Sequence, residues 1–369
     1  MSFENIYKGK KVVVTGNTGF KGSWLTVWLL SMGADVVGIS CDIPSNPSLF
    51  ETLKLRDKIK HYEFDLLERD KVYHVIHAEK PDFVFHLAAQ AIVSKSYQDP
   101  IRTLQSNVMG TAHVLDVLRD YPKKCVAVMI TSDKCYENVE WCWGYKETDH
   151  LGGKDIYSAS KAAAENVIHS YVETFFKKEG HPVVVASARA GNVIGGGDWA
   201  ADRIVADIAR AWAAGEKVAI RSPKATRPWQ HVLEPLSGYL ELGKNLYKSQ
   251  DFHGQAYNFG PRAEQNRTVV DLLIDMSMRW GFESSDKAYE ITDNRPFNEA
   301  GLLKLNCDKA LFDMKWQATL GYYQTVHFVV DWYSLYYKEK GDMFAFTSKQ
   351  ITEYVQLAKK QNIEWAARC

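Results

Sequence analysis

Residues 11–22 read KVVVTGNTGFKG: three β-branched residues, Val12, Val13 and Val14, run straight into three glycines at Gly16, Gly19 and Gly22. Such a run predicts a buried strand that ends in a tight turn. The next residues, SWLTVWLLSMG, place Leu25, Trp28, Leu29 and Met32 at helical spacing and supply Gly33 as a C-terminal stop. Strand, glycine turn and helix follow one another. A turn of this kind suits a dinucleotide, because glycines let the backbone approach a pyrophosphate while the helix N-terminus offers unpaired N–H groups. The spacing is GxxGxxG rather than the GxGxxG of simple dehydrogenases.

Working outward, ADVVGISCD predicts a second strand ending near Asp42. An acidic residue about 20 positions past the glycines is where such a site holds a ribose diol and repels a 2′-phosphate, which favours NAD over NADP; the other reading of Asp42 is a cap for the loop through Pro44 and Pro47. HYEFDLLERD offers a third strand with Asp65 just after it, a candidate for the adenine edge. DFVFHLAAQ, residues 82–90, is a fourth, ending in Ala88 and Ala89, where a bulky side chain would obstruct a flat cofactor. Helical spacing at Leu104, Val108, Ala112, Leu115 and Leu118 precedes a fifth strand, CVAVMITSDK. Strands and helices alternate, so the fold class is α/β: a doubly wound, Rossmann-type parallel sheet with a smaller C-terminal substrate-binding lobe.

Ser132, Asp133 and Lys134 fall at the C-terminal end of the fifth strand, the edge where ligands bind in open α/β sheets. The following helix, DIYSASKAAAENVIHSYVETFFKKEG, puts Tyr157 and Lys161 four apart on one face. A lysine ammonium beside a phenol favours the phenolate, giving a base able to take an alcohol proton as hydride leaves carbon. HPVVVASARAGNVIGGGDW, residues 181–199, is a sixth strand passing into a glycine-rich loop, and the domain change is placed near residue 191. The resulting division is 1–190 for the cofactor, with a returning segment about 230–258, and 191–369 for an interleaved substrate lobe. GQAYNFGP, residues 254–261, and residues 293–316 are expected to complete that lobe. Arg221 and Arg227 beside an aromatic are candidates for a diphosphate.

Bulk properties exclude several classes. The 369 residues hold 45 Lys plus Arg against 45 Asp plus Glu, so no global charge draws the chain to nucleic acid or to an anionic membrane. Six cysteines form no CxxC pair and no metal spacing. No apolar run approaches the ~20 residues that span a bilayer. A cytoplasmic protein without metal is expected.

Together these motifs resemble the extended short-chain dehydrogenase/reductase family over nearly the whole chain. Within it, TSDKCYENVEWCWGYKETD, DIYSASKAAAE, ARAGNVIGGGDWA and RPWQHVLEPLSGYL are similar to the CDP-glucose 4,6-dehydratase branch. The resemblance implies a homodimer, a retained NAD, the substrate CDP-glucose, and a product feeding deoxysugars of bacterial O-antigen and lipopolysaccharide. Carried over by position, Ser132, Tyr157 and Lys161 oxidise the alcohol, and Asp133 and Lys134 carry out dehydration. Gly16, Gly19, Phe20, Lys21, Gly22, Asp42, Asp65, Leu66, Leu87, Ala88, Ala89, Tyr157 and Lys161 hold cofactor; Asn192, Arg203, Arg227 and Arg295 hold the nucleotide diphosphate sugar. Related dehydratases carry Asp-Glu where this chain has Asp133-Lys134, so Lys134 is either a neutral base or a cation stabilising an enolate. The alternatives are another nucleotide-sugar dehydratase, a nucleotide-sugar 4-epimerase, which shares the triad, and a non-catalytic NAD-sensing protein.

Overall fold

The computed structural model describes residues 2–262, 265–292 and 302–367. Seven parallel strands form the central sheet: β1 (Lys11–Thr15), β2 (Asp35–Ser40), β3 (Lys60–Glu63), β4 (Phe83–His86), β5 (Cys125–Ile130), β6 (Val183–Ala190) and β7 (Ala256–Phe259). Their order is β7-β6-β5-β4-β1-β2-β3. The chain winds one way from β1 to β3 and the other way from β4 to β7, so a crevice opens beyond the C-terminal ends of β1 and β4, where such sheets bind ligands.

The period of two along each strand decides what lies above and below. Val12 and Val14 share one apolar cluster with Phe83, Phe85, Trp24, Trp28 and Leu240; Val13 faces the other, with Val37, Val84, Val72, Leu118 and Ile168. Burial on both faces explains why the strands read as continuous apolar runs rather than as alternations. Helices α1 (Phe20–Ser31) and, from the second half of the chain, Leu233–Lys248 cover the first face, while Arg69–Glu79, Gly110–Arg119 and Ile156–Tyr171 cover the second.

One expectation is corrected. GQAYNFGP does not complete the lobe: its residues Ala256–Phe259 pair in register with Ser187–Ala190 and form the edge strand β7. Fully buried Phe259 and nearly buried Tyr257 supply the apolar surface that fixes it there. The helix expected from the spacing of Leu104 to Leu118 forms, with a π segment, Gln105–Met109, between Pro100–Leu104 and Gly110–Arg119. Polar Asn107 is buried there, in the same i, i+4 row as buried Thr103, Thr111 and Leu115.

Beyond residue 191 the lobe is built from short ladders: Val193–Ile194 with Gln230–His231, Val218–Ile220 with Tyr289–Ile291, and Thr226–Pro228 with Asn266–Thr268. The chain then returns to the first half. Helix Met343–Lys360 packs against α1, and Trp365 stacks on Phe3 and Tyr354.

Candidate active site

At the end of β1 the backbone turns at Gly16 with φ +74°, a conformation that favours glycine. A Cβ there would lie 2.7 Å from the Ala88 nitrogen, and a Cβ at Gly22 would lie 2.1 Å from the Gly16 carbonyl oxygen. These two glycines let β1, β4 and α1 close on one another. Gly19 differs: a Cβ there would meet only the Gly16 oxygen, at 3.3 Å. It is the N-cap of α1 and offers no side chain to the first N–H groups of the helix, which leaves that end open to an anion. Replacing Gly22 with Ala is expected to cost about 1–3 kcal/mol through overpacking against backbone that cannot yield. A thermal melt lowered by several degrees checks this.

Around the turn, Leu66, Leu87, Ala88 and Ala89 line the ends of β3 and β4, with Leu66 buried and the other three half-buried. Asp42 lies exposed two residues past β2, its carbonyl accepting from the Thr18 hydroxyl at 2.7 Å. Asp65 is ion-paired with Arg102 and also accepts from the Leu67 N–H at 3.0 Å. Sequence reasoning missed Arg102, which faces both Asp65 and Asp42; an arginine inside a helical pattern carried no signal.

The second group assembles at the end of β5. Ser132 is the N-cap of a single 3-10 turn, accepting from the Lys134 N–H at 3.2 Å, and its hydroxyl donates to Asp133 Oδ1 at 2.9 Å. Helix Ile156–Tyr171 starts at Asp155, whose carboxylate accepts from the Ser158 N–H at 2.9 Å. That cap sets the phase of the helix, so Tyr157 and Lys161 both turn inward, with Lys161 Nζ 5.9 Å from the Tyr157 ring centre. Ser132 lies on the Tyr157 side of the site, where its hydroxyl favours the ionised form of the phenol.

Electrostatics at this point differ from the sequence expectation. Burial, not the neighbouring lysine, dominates the phenol: Tyr157 is pushed up to about 12, with Arg203 and the Ser132 hydroxyl acting the other way. Burial also pulls Lys161 down to about 8, opposed by Cys135 and Glu165. Desolvation in low dielectric drives both shifts, and a lysine at about 8 still carries its positive charge at neutral pH.

Glu165 anchors the assembly from below. It accepts from the Thr131 hydroxyl, from Ser187 Oγ at 2.9 Å and from Arg189 Nη2 at 2.8 Å, so one buried ion pair ties the helix of Tyr157 to the strand ends on either side of it.

Lys21 is placed otherwise than a helix-mouth residue would suggest. Its Nζ lies 3.4 Å from the Tyr239 hydroxyl, within electrostatic reach of Asp133, Lys161, Arg203 and Asp198, and burial beside Arg203 lowers it to about 8. Phe20 turns toward Gly195, where a Cβ would meet its ring at 2.9 Å. Arg203 sits at the start of helix Ile204–Ala213, on the Tyr157 and Lys21 side of the site. Asn192 and Arg227 instead line a narrow cleft with Asp133, Lys134, Pro228 and Leu303. Arg221 is half-exposed and pairs with Asp202 at 3.9 Å. Arg295 lies outside the described residues.

Four inward residues were not foreseen: Asp198, Tyr239, Gln230 and Asn107. Asp198, closing the GGGDW run, was the one with a visible signal. Asn107 Nδ2 donates to Ser160 Oγ at 2.8 Å, beside Lys161 on the same helix, and its Oδ1 accepts from the Gln90 N–H at 2.7 Å.

Comparison with known proteins agrees with this architecture. A family model described as GDP-mannose 4,6 dehydratase matches residues 13–328. The CDP-glucose 4,6-dehydratase of Salmonella typhimurium is 43% identical over 355 residues, covering 95% of this chain and 98% of the relative. Among solved structures, dTDP-glucose 4,6-dehydratase from Bacillus anthracis in complex with NAD superposes with a TM-score of 0.74 at 19% identity, covering 91% of this chain and 98% of that one. UDP-glucuronic acid 4-epimerase from Bacillus cereus gives a TM-score of 0.74 at 19% identity, covering 89% and 100%. The extent of the family match, and the identity to a relative over nearly the full length, show that the chain belongs to the GDP-mannose 4,6 dehydratase family.

Proposed function

We propose that the protein is an NAD-dependent CDP-glucose 4,6-dehydratase that forms CDP-4-keto-6-deoxyglucose for the deoxysugars of bacterial surface polysaccharide. The observation that carries this reading is the convergence of Ser132, Asp133, Lys134, Tyr157 and Lys161 at one end of β5, beside the glycine turn of β1. The residues fit a dinucleotide: Gly16 and Gly22 admit no Cβ, and the open N-terminus of α1 at Gly19 suits a pyrophosphate. Gly16, Gly19, Phe20, Lys21, Gly22, Leu87, Ala88 and Ala89 would hold its centre, with Asp42, Asp65 and Leu66 at the adenosine end. When bound, its nicotinamide accepts hydride from C4 and returns it to C6.

Within this reading Tyr157 takes the proton of the 4-hydroxyl, Lys161 supplies positive charge beside it, and Ser132 orients the oxygen. Once C4 is a ketone the C5 proton is acidic, because the carbanion is delocalised as an enolate. Asp133 protonates the departing 6-hydroxyl, and Lys134 manages the charge that develops at C5. Asn192 and Arg227, facing Asp133 and Lys134 across the cleft, orient the nucleotide sugar, with Arg203 closing the site from the lobe. An epimerase uses the same triad but needs no acid beside it; buried Asp133 is what favours dehydration. Incubation with CDP-, UDP-, dTDP- and GDP-glucose, followed by the alkali-induced absorbance of 4-keto sugars, tests the proposal. A 4-keto product from CDP-glucose is expected, and none from any of the four would contradict it.

A homodimer is part of the same proposal. Ile101 is 62% exposed and Met109 46% exposed, and both lie on the helical segment that packs beside helix Ile156–Tyr171. With exposed Ile156 at the start of that second helix, apolar side chains on two adjacent helices suit a four-helix contact between copies. Sedimentation at micromolar concentration is expected to give twice the chain mass, and Ile101→Lys to shift it toward the monomer.

A further inference from the structure

Resting on the dehydratase reading, we infer that the side-chain amide of Gln230 holds the 6-hydroxyl of the sugar against Asp133 and keeps it as it departs as water, so that Gln230 reads whether C6 carries a leaving group.

The amide sits beside the acid. Gln230 is 1% exposed, two residues past Pro228 of the cleft and paired across a short parallel ladder with Val193, the neighbour of Asn192. A Cβ on Gly191 would lie 3.2 Å from Asp133 Oδ2 and 4.0 Å from Gln230 Nε2, so carboxyl and amide flank one glycine that puts no side chain between them. Nε2 donates to the Phe259 carbonyl oxygen at 3.5 Å. Only the NH2 end of an amide can face a carbonyl oxygen, and this bond therefore fixes which way the group points. Its Oε1 is then left buried with no partner among the described residues.

A buried carbonyl without a donor is destabilising, and an apolar side chain of the same shape would avoid that cost. Asp133 does not supply the donor while ionised, because a carboxylate has only lone pairs. What the amide offers is an accepting oxygen and the second hydrogen of Nε2, the complement of a hydroxyl, which both donates and accepts. Of the sugar hydroxyls, the one at C6 must approach Asp133, since that carboxyl protonates it. In elimination the C5 proton goes to the enzyme, the C6–O bond breaks, and the Asp133 proton joins the departing oxygen. The water so formed still has a proton for Oε1 and a lone pair for Nε2, so the amide that bound the hydroxyl also binds the product of its departure.

The test compares CDP-glucose with CDP-6-deoxyglucose, which lacks the 6-hydroxyl, on enzyme carrying reduced nicotinamide, so that neither sugar is oxidised while binding is measured. Wild-type enzyme is expected to bind CDP-glucose about 10-fold more tightly, because a site built for a hydroxyl leaves its own polar group unpaired with the analogue. Gln230→Met and Gln230→Leu fill the space without polar atoms, and in either the gap is expected to close through weaker binding of CDP-glucose alone. With oxidised nicotinamide these variants should still reduce it at the wild-type rate in single turnovers, while the 4-keto-6-deoxy product forms about 10²-fold more slowly. A thermal melt confirms that each variant is folded. Equal binding of the two sugars by wild-type enzyme overturns the assignment, whatever the variants do. So does a folded variant that keeps the wild-type preference, which is the result that a merely structural Gln230 would give even if both sugars bound more weakly. Failure of wild-type enzyme to form any 4-keto sugar from CDP-glucose counts instead against the dehydratase reading.

Discussion

Tyr157→Phe is expected to slow substrate-driven reduction of bound nicotinamide by about 10³-fold, within the range of about 10²–10⁴ that a positioned acid or base contributes. The side chain is 8% exposed and its ring packs in the site, so the variant keeps the packing and loses only the hydroxyl. What it removes is one hydroxyl, whose loss costs about 0.5–1.5 kcal/mol of stability. Folding and cofactor retention should therefore survive while oxidation fails. The measurement is the reduced-nicotinamide absorbance in single turnovers, alongside a thermal melt. Reduction at the wild-type rate would remove Tyr157 from the reaction, whatever its position.

Lys134→Met is expected to leave nicotinamide reduction in place and to lower solvent deuterium entry at C5 by about 10²-fold or more. Lys134 shares a cleft with Asp133, Asn192 and Arg227, so its loss should touch elimination rather than oxidation. A charge-preserving variant separates its two roles: Lys134→Arg keeps a cation for an enolate but has no accessible neutral base. Restored exchange in Lys134→Arg assigns the role to charge, and continued failure assigns it to proton abstraction. Loss of nicotinamide reduction in Lys134→Met would place the residue in substrate positioning instead.

Local patterns carried most of the fold. A β-branched run ending in glycines, then an amphipathic helix, is enough to place β1, the turn and α1, because each step has one favourable conformation for its residues. Strand β7 was read two ways, within the returning segment about 230–258 and as part of the lobe, for a physical reason. Ala256–Phe259 is only four residues long and joins the sheet through contacts with residues some 70 positions earlier, which no local period encodes. The catalytic cluster was legible because an N-cap at Asp155 and a fixed i to i+4 relation decide where Tyr157 and Lys161 point. Its electrostatics were not. Reading Lys161 as the control on Tyr157 left out burial, which is the largest cause of the shift in each group. Lys21 adds what the sequence did not show: its side chain reaches Tyr239 and the surroundings of Asp133.

The central claim is that one hydrogen leaves C4 and returns to C6 within the same site while water is lost. CDP-glucose carrying deuterium at C4 tests it most directly, with the product examined by NMR. The account predicts deuterium in the C6 methyl group of a 4-keto product. Deuterium retained at C4 of an epimerised sugar, or lost to solvent, would contradict it.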